Sequence, residues 1–210
     1  MRFLHARPSR RSFLSLSLGI ATMGGLTLVT GGCANPQARP RFSELSYGHL
    51  PPLRMQAGRV DVIESYDPPM RAPNVEQEMP LSPARAARQW AFDRLQASGE
   101  TPYTILMTIH DAAVTEKTLG VQKGLEGAFR TEQAERYDAN LEATVELVDP
   151  DSRVTLAQAT AKVWRYITLP EDASVNDRET AWFTLVEQLM DDFNDSMDSS
   201  IHTYMGDYLV

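Results

Sequence analysis

Residues 136–148 alternate strictly. Tyr137, Ala139, Leu141, Ala143, Val145 and Leu147 fall on one side, and Asp138, Asn140, Glu142, Thr144 and Glu146 on the other. Side chains along a strand repeat every two residues, so this stretch has one face to bury and one to leave in water, which favours antiparallel pairing. A turn follows at Asp149-Pro150-Asp151-Ser152, where proline presets its dihedral and aspartate forms local hydrogen bonds. A second strand over 154–168 completes a long hairpin. Its Ala157, Ala159, Ala161 and Val163 give a small-residue face on which a helix sits closely.

The remaining elements are placed around this hairpin. Val60, Val62 and Ile63 mark a short strand over 59–66, and four prolines make 67–80 a loop. Ser82-Pro83 supplies a cap and a first-turn proline for a helix in which Ala84, Ala87, Trp90, Ala91 and Leu95 share a face and Gly99 is the stop. Trp90 in this helix reads as a core anchor. Residues 103–114 alternate as a strand, with Tyr103, Ile105, Met107 and Ile109 on one side. Ser174 and Asp177 approximate a capping box, after which apolar residues from Trp182 to Tyr208 recur at helical spacing to the C-terminus. Such a helix of about 34 residues, roughly 50 Å long, outreaches one small sheet and predicts a kink or a protruding end that serves as an interface. The order β-α-β-β-β-α predicts an α+β fold: a four-stranded, mostly antiparallel sheet packed by two helices, the C-terminal one long.

Composition narrows the function classes. With 42% hydrophobic and 23% charged residues the 210-residue chain is that of a packed protein. Its formal charge of −8 and pI near 5.0 argue against a nucleic-acid partner, which requires a basic face for phosphates. One cysteine excludes an internal disulfide framework and a multi-cysteine zinc site.

The N-terminus reads as an address. Arg2, Arg7, Arg10 and Arg11, with no acid among them, precede a short apolar run over 13–29, the arrangement of a secretory signal. Ser9-Arg10-Arg11-Ser12-Phe13-Leu14 resembles the twin-arginine export motif, with Arg10, Arg11, Phe13 and Leu14 as its determinants; the frequent following lysine is missing. Val29-Thr30-Gly31-Gly32-Cys33 resembles a lipobox in which Thr30 replaces the usual leucine, and implies that Cys33 is acylated and becomes the mature N-terminus. Simple cleavage nearby, giving a soluble periplasmic protein, is the alternative. Acyl chains contribute about 0.8 kcal/mol per buried methylene to anchoring. Ala34 lacks the aspartate that marks inner-membrane retention in some bacteria, which favours the outer membrane over the inner. Residues 1–32 are thus a signal peptide, 33–52 a lipidated N-terminus and proline-rich flexible tether, and 53–210 a single domain. Without the signal the chain keeps 16 basic and 28 acidic side chains, a net −12, so attachment falls to the lipid.

The β-α-β-β-β-α order behind a lipobox resembles LPS-assembly lipoproteins of the LptE type and transporter-auxiliary lipoproteins. Lys123-Gly124-Leu125-Glu126-Gly127-Ala128-Phe129 through Glu132-Gln133-Ala134-Glu135-Arg136-Tyr137-Asp138-Ala139 resembles uncharacterised bacterial envelope lipoproteins over most of 50–210. These resemblances imply a periplasm-facing accessory of envelope assembly or transport.

No H-E-x-x-H, G-x-S-x-G, P-loop or Rossmann glycine pattern is present, and His49, His110 and His202 are far apart, so the sequence predicts neither an enzyme nor a cofactor or metal. Asp191, Asp195, Asp198 and His202 share one stripe of the last helix; they read as a solvated face, because a metal needs ligands from a second element. Residues 117–130 read as a glycine-broken loop with Lys117, Lys123 and Arg130 beside Phe129. That mixture suits an anionic lipid, a glycolipid phosphate or an acidic protein, the plainer alternative being a long connection over the sheet edge. The expected partners are the membrane, through the N-terminal lipid, and an envelope protein or lipid; a lipid- or glycolipid-binding module is the alternative function.

Overall fold

The computed structural model describes residues 42–120 and 133–210. Their fold is α+β, with two helices and a mixed sheet. Strand β1 is Leu53–Met55, β2 Arg59–Glu64, β3 Leu95–Ala97, β4 Thr104–Asp111, β5 Val114–Thr118, β6 Gln133–Val148 and β7 Thr155–Pro170; helices α1 and α2 are Pro83–Arg94 and Val175–Tyr204.

The hairpin forms as the alternation predicts. Strand β6 pairs antiparallel with β7 over almost its whole length, with Leu141 opposite Val163 and Val145 opposite Ala159. Asp149 closes the turn, its carboxylate accepting from the Asp151 and Ser152 amides and the Ser152 hydroxyl. The other edge of β6 carries β4 against Glu142–Val148 and β5 against Glu135–Ala139, and β2 lies parallel to β4.

The four-strand expectation changes in two ways. The predicted strand over 103–114 breaks, because the register shifts between Ile109 and Asp111 and the Asp111 carboxylate takes the Ala113 amide. Beyond the break the Val114 amide donates to buried Glu76, whose carboxylate also accepts from the Tyr66 hydroxyl. The shift reverses the alternation: odd residues Ile105, Met107 and Ile109 face the core before it, and even Val114 after it. Strand β5 therefore continues in line with β4 as a separate piece. Its outer edge is covered by the proline loop, through Val75 N–H to Val114 O and Glu116 N–H to Pro73 O.

A second, two-stranded parallel sheet, β1 with β3, was not expected. Nothing local stops α1 before Gly99, yet Leu95 is already extended, because pairing with Leu53 buries it at the sheet's edge. The cap itself is as predicted, with the Ser82 hydroxyl accepting from the Arg85 amide and proline in the first turn.

Both helices lie on the odd face of β6. Trp90 of α1 is fully buried edge-to-face on Phe193 of α2, 5.2 Å between centroids, and its Nε1 donates to Asn194 Oδ1 at 3.0 Å. Helix α2 runs along the alanines of β7, close enough for the Ser200 hydroxyl to donate to the Thr160 carbonyl. Ala159 and Ala161 have no bulk to hold it off. The capping box at Ser174 and Asp177 is formed on both sides.

The long helix stops short of the C-terminus and does not protrude. It ends at Tyr204; Met205 is buried, a 3-10 turn follows at Gly206–Tyr208, and Leu209 bridges back to Met55. The last residues satisfy the free edge of β1, with Gln56 N–H to Tyr208 O and Val210 N–H to Arg54 O. Residues 42–52, expected as part of a flexible tether, lie on the domain. Phe42 stacks on Phe183, and buried Tyr47 donates its amide to Asp93. The tether expectation for 33–41 lies outside the described residues.

Gly58 marks one tight point, since a Cβ there would sit 2.7 Å from the Thr101 carbonyl oxygen, while Gly206 faces open space. Gly58→Ala is expected to destabilise the fold by roughly 1–3 kcal/mol through overpacking, and Gly206→Ala to change it by about 0.5 kcal/mol at most. Urea unfolding of the two variants checks this; equal midpoints would remove the steric account.

Candidate functional site

Among the described residues no helix covers the even face of the sheet, because α1 and α2 both occupy the odd one. Across it run two rows: Asp61, Leu106, Glu146 and Gln158, then Ile63, Thr108, Thr144 and Thr160. Hydroxyls link the second, with His110 Nε2 and Thr160 Oγ1 each 3.1 Å from Thr144 Oγ1. Farther along β6 the rows become Asn140 with Trp164, then Thr115, Asp138 and Tyr166, then Lys117, Arg136 and Thr168.

These last rows form the candidate site. Trp164 and Tyr166 are two residues apart on β7, about half exposed, with ring centroids 5.5 Å apart. The Arg136 guanidinium lies 4.0 Å from the Tyr166 centroid and 5.8 Å from that of Trp164, within cation–π range of both. Beneath it Asp138 is 5% exposed and accepts from Arg136 Nε at 2.9 Å, Arg136 Nη2 at 2.7 Å and Lys117 Nζ at 2.9 Å. Lys117 and Arg136 are directly opposite in register, a like-charge pair that Asp138 makes tolerable. Burial alone would raise the Asp138 pKa, but the hydrogen bonds and charges of Arg136 and Lys117 outweigh it and hold the carboxyl below its ordinary value. One buried carboxylate thus fixes two cations, and through Arg136 two aromatic rings, on an open surface.

Lys117 corrects the expected binding loop. It belongs to β5, and the register shift at Asp111 carries it onto the open face. Lys123, Phe129 and Arg130 lie outside the described residues, as do the export residues Arg10, Arg11, Phe13 and Leu14 and the lipidation residue Cys33. Sequence reading missed Trp164, Tyr166, Arg136 and Asp138 as a group. The available signal was two aromatics on the even, wet positions of β7.

The stripe of α2 meets a second element that carries a cation. Arg94 of α1, 3% exposed, pairs with Asp198 and donates to the Pro51 carbonyl, and His202 Nδ1 lies 2.9 Å from Asp198 O and 3.3 Å from its carboxylate. An arginine occupies the side from which a metal's remaining ligands would come. Among the described residues no group of three or more His, Cys, Asp or Glu is arranged to hold a metal ion. An open cleft of about 540 Å³ lies here, between Leu50–Leu53 and the Asp195–His202 turns of α2.

No family model and no curated protein matches the chain. Among solved structures it is similar to a Xanthomonas campestris protein described as DUF330, at 10% identity and TM-score 0.31, covering 79% of this chain and 90% of that one. A putative neuraminyllactose-binding hemagglutinin homolog from Helicobacter pylori matches at 11% identity and TM-score 0.31, covering 72% and 94%. The PelC dodecamer from Paraburkholderia phytofirmans matches at 12% identity and TM-score 0.25, covering 68% and 92%. At these TM-scores nothing is transferred from them to this chain.

Asp138→Asn is expected to destabilise the domain by roughly 1–3 kcal/mol near pH 7, by leaving two cations on one neutral partner. The native carboxyl titrates below its unfolded value of 3.8, so its contribution is fully present above that value and is lost as the pH falls through the lowered one. Chemical unfolding of wild type and variant across that range should show their difference shrinking with acid; a constant difference would contradict the charge argument.

Proposed function

We propose that this chain is a lipid-anchored, periplasm-facing accessory of the bacterial cell envelope that acts in assembly or transport by binding, without catalysis. The open sheet face with its fixed aromatic and basic cluster carries the binding part of this reading. A half-exposed Trp–Tyr pair is costly to leave in water, and aromatic and arginine side chains are the groups most enriched where proteins bind partners. The envelope part is supported by the basic n-region, the apolar run and Cys33 directly after it. Acylated Cys33 would hold the domain at the membrane, with the outer membrane favoured. Among the described residues no helix is long and apolar enough to cross a membrane. Nor does the chain carry the basic balance a membrane surface would attract.

The alternative, a lipid- or glycolipid-binding module, needs an apolar chamber between helices and sheet. That space is filled by Trp90, Phe193, Met107, Leu141, Leu189 and Met190, all 0% exposed, which supports the reading that binding uses the outer face.

Labelling cells with a fatty acid tests the anchor: wild type is expected to incorporate label and fractionate with membranes, and Cys33→Ala to do neither. A photo-crosslinking residue at position 164 tests the face. Capture of an envelope component from 164, and none from exposed position 175 on the helical side, supports the reading; equal capture at both overturns it.

A further inference from the structure

We propose that the cluster of Trp164, Tyr166, Arg136 and Lys117 binds an acidic glycan, a saccharide chain bearing carboxylates. The inference rests on the reading that the open sheet face is the binding surface, and it names the ligand class.

Charge selects an anion. The cluster holds two cations against one carboxylate, within a chain whose formal charge is −8. Asp138 occupies only part of their capacity. Lys117 engages it through a single ammonium with its side chain 63% exposed, and Arg136 uses Nε and Nη2, leaving Nη1 and further N–H groups for a second acceptor. A ligand carboxylate has the geometry a guanidinium edge prefers. Because Asp138 already orders both cations, binding does not have to immobilise them.

The rings select a saccharide over other anions. One face of a pyranose ring is lined with C–H groups and its rim with hydroxyls. It can therefore lie on an aromatic ring while its rim is hydrogen-bonded by polar neighbours. Trp164 offers such a ring, and Tyr166 beside it carries the Arg136 guanidinium on one face, with Asn140 opposite Trp164 and Thr168 opposite Arg136. The row of Thr108, Thr144 and Thr160 extends the polar rim along the same face, the layout of a track for an extended chain. An acyl chain would need an apolar slot beside the rings, whereas the positions flanking them on this face of β7 are Lys162 and Thr168.

The test is isothermal titration of the full chain in detergent micelles with oligomers of polygalacturonate and of alginate. Dextran oligomers, poly-glutamate and glycerol phosphate serve as neutral-glycan, acidic-peptide and lipid-headgroup probes. At least one acidic glycan is expected to bind, and to bind at least about tenfold more tightly than each of the three others. Trp164→Ala should weaken that binding roughly tenfold and Trp164→Phe only about threefold or less, since the ring is retained. Lys117→Gln should weaken it and flatten its salt dependence. A thermal melt of each variant accompanies the titration, and Tyr166→Ala is the second probe of the rings should Trp164→Ala melt early. Binding by neither acidic glycan, equal binding of dextran, poly-glutamate or glycerol phosphate, or binding indifferent to both ring substitutions overturns the proposal. Such a failure alongside specific crosslinking from position 164 would leave the binding face standing and remove only the glycan; loss of both would remove the face as well.

Discussion

Strand β6 is the element on which the rest of the molecule depends. It is paired on both edges, by β7 along its length and by β4 and β5 in line on the other side. Its six odd residues from Tyr137 to Leu147 are all 0% exposed. Each large apolar side chain so buried contributes about 1.5–3 kcal/mol, and a slip of one residue would exchange the whole set for the even one, which includes Asp138, Asn140, Glu142, Thr144 and Glu146. That penalty fixes the register of the hairpin. The register in turn sets which face the helices cover and which they leave open. The candidate site is a consequence of where the helices are not.

Within that frame Asp138 has an unusual position. It is on the wet face by parity yet nearly buried, because Arg136, Lys117 and Tyr166 close over it. A second carboxylate, Glu135, serves the covered face. It accepts from the Tyr137 hydroxyl and from Arg178 of α2 at 2.7–2.8 Å, tying the start of the long helix to the start of β6. Burial would raise the Glu135 pKa as well, and the hydrogen bonds of Arg178 and Tyr137 bring it below its ordinary value. Neighbouring carboxylates on opposite faces thus do different tasks, one orienting a helix and one holding a surface.

Much of this was legible residue by residue. The alternation of 136–148, the turn at Asp149, the caps at Ser82 and Ser174 and the anchoring role of Trp90 are set by nearby sequence and appear where the pattern puts them. The misses share one cause. Leu95 leaves its helix for β1, the C-terminal helix ends at Tyr204 so that Leu209 can reach Met55, and residues 42–52 settle on the domain. In each case a segment with an acceptable local preference gains more from a distant free edge or apolar groove, and no window of neighbouring residues records that. The site was only half legible for the same reason. Lys117 was noticed for its charge, but its partner Asp138 is 21 residues away and the break at Asp111 decides which face it joins.

Taken alone, the sequence determined that this chain would place two helices and a mostly antiparallel sheet in an α+β arrangement, because periodicity and capping are local properties. It also carried the N-terminal features that suggest an exported, lipidated protein, because basic, apolar and small residues in order are readable without a fold. Only the tertiary structure decided which sheet face stays open, that Arg94 reaches Asp198, and that Trp164, Tyr166, Arg136 and Lys117 converge over one carboxylate. Convergence of that kind depends on register across three strands, and register is fixed by the burial of the opposite face.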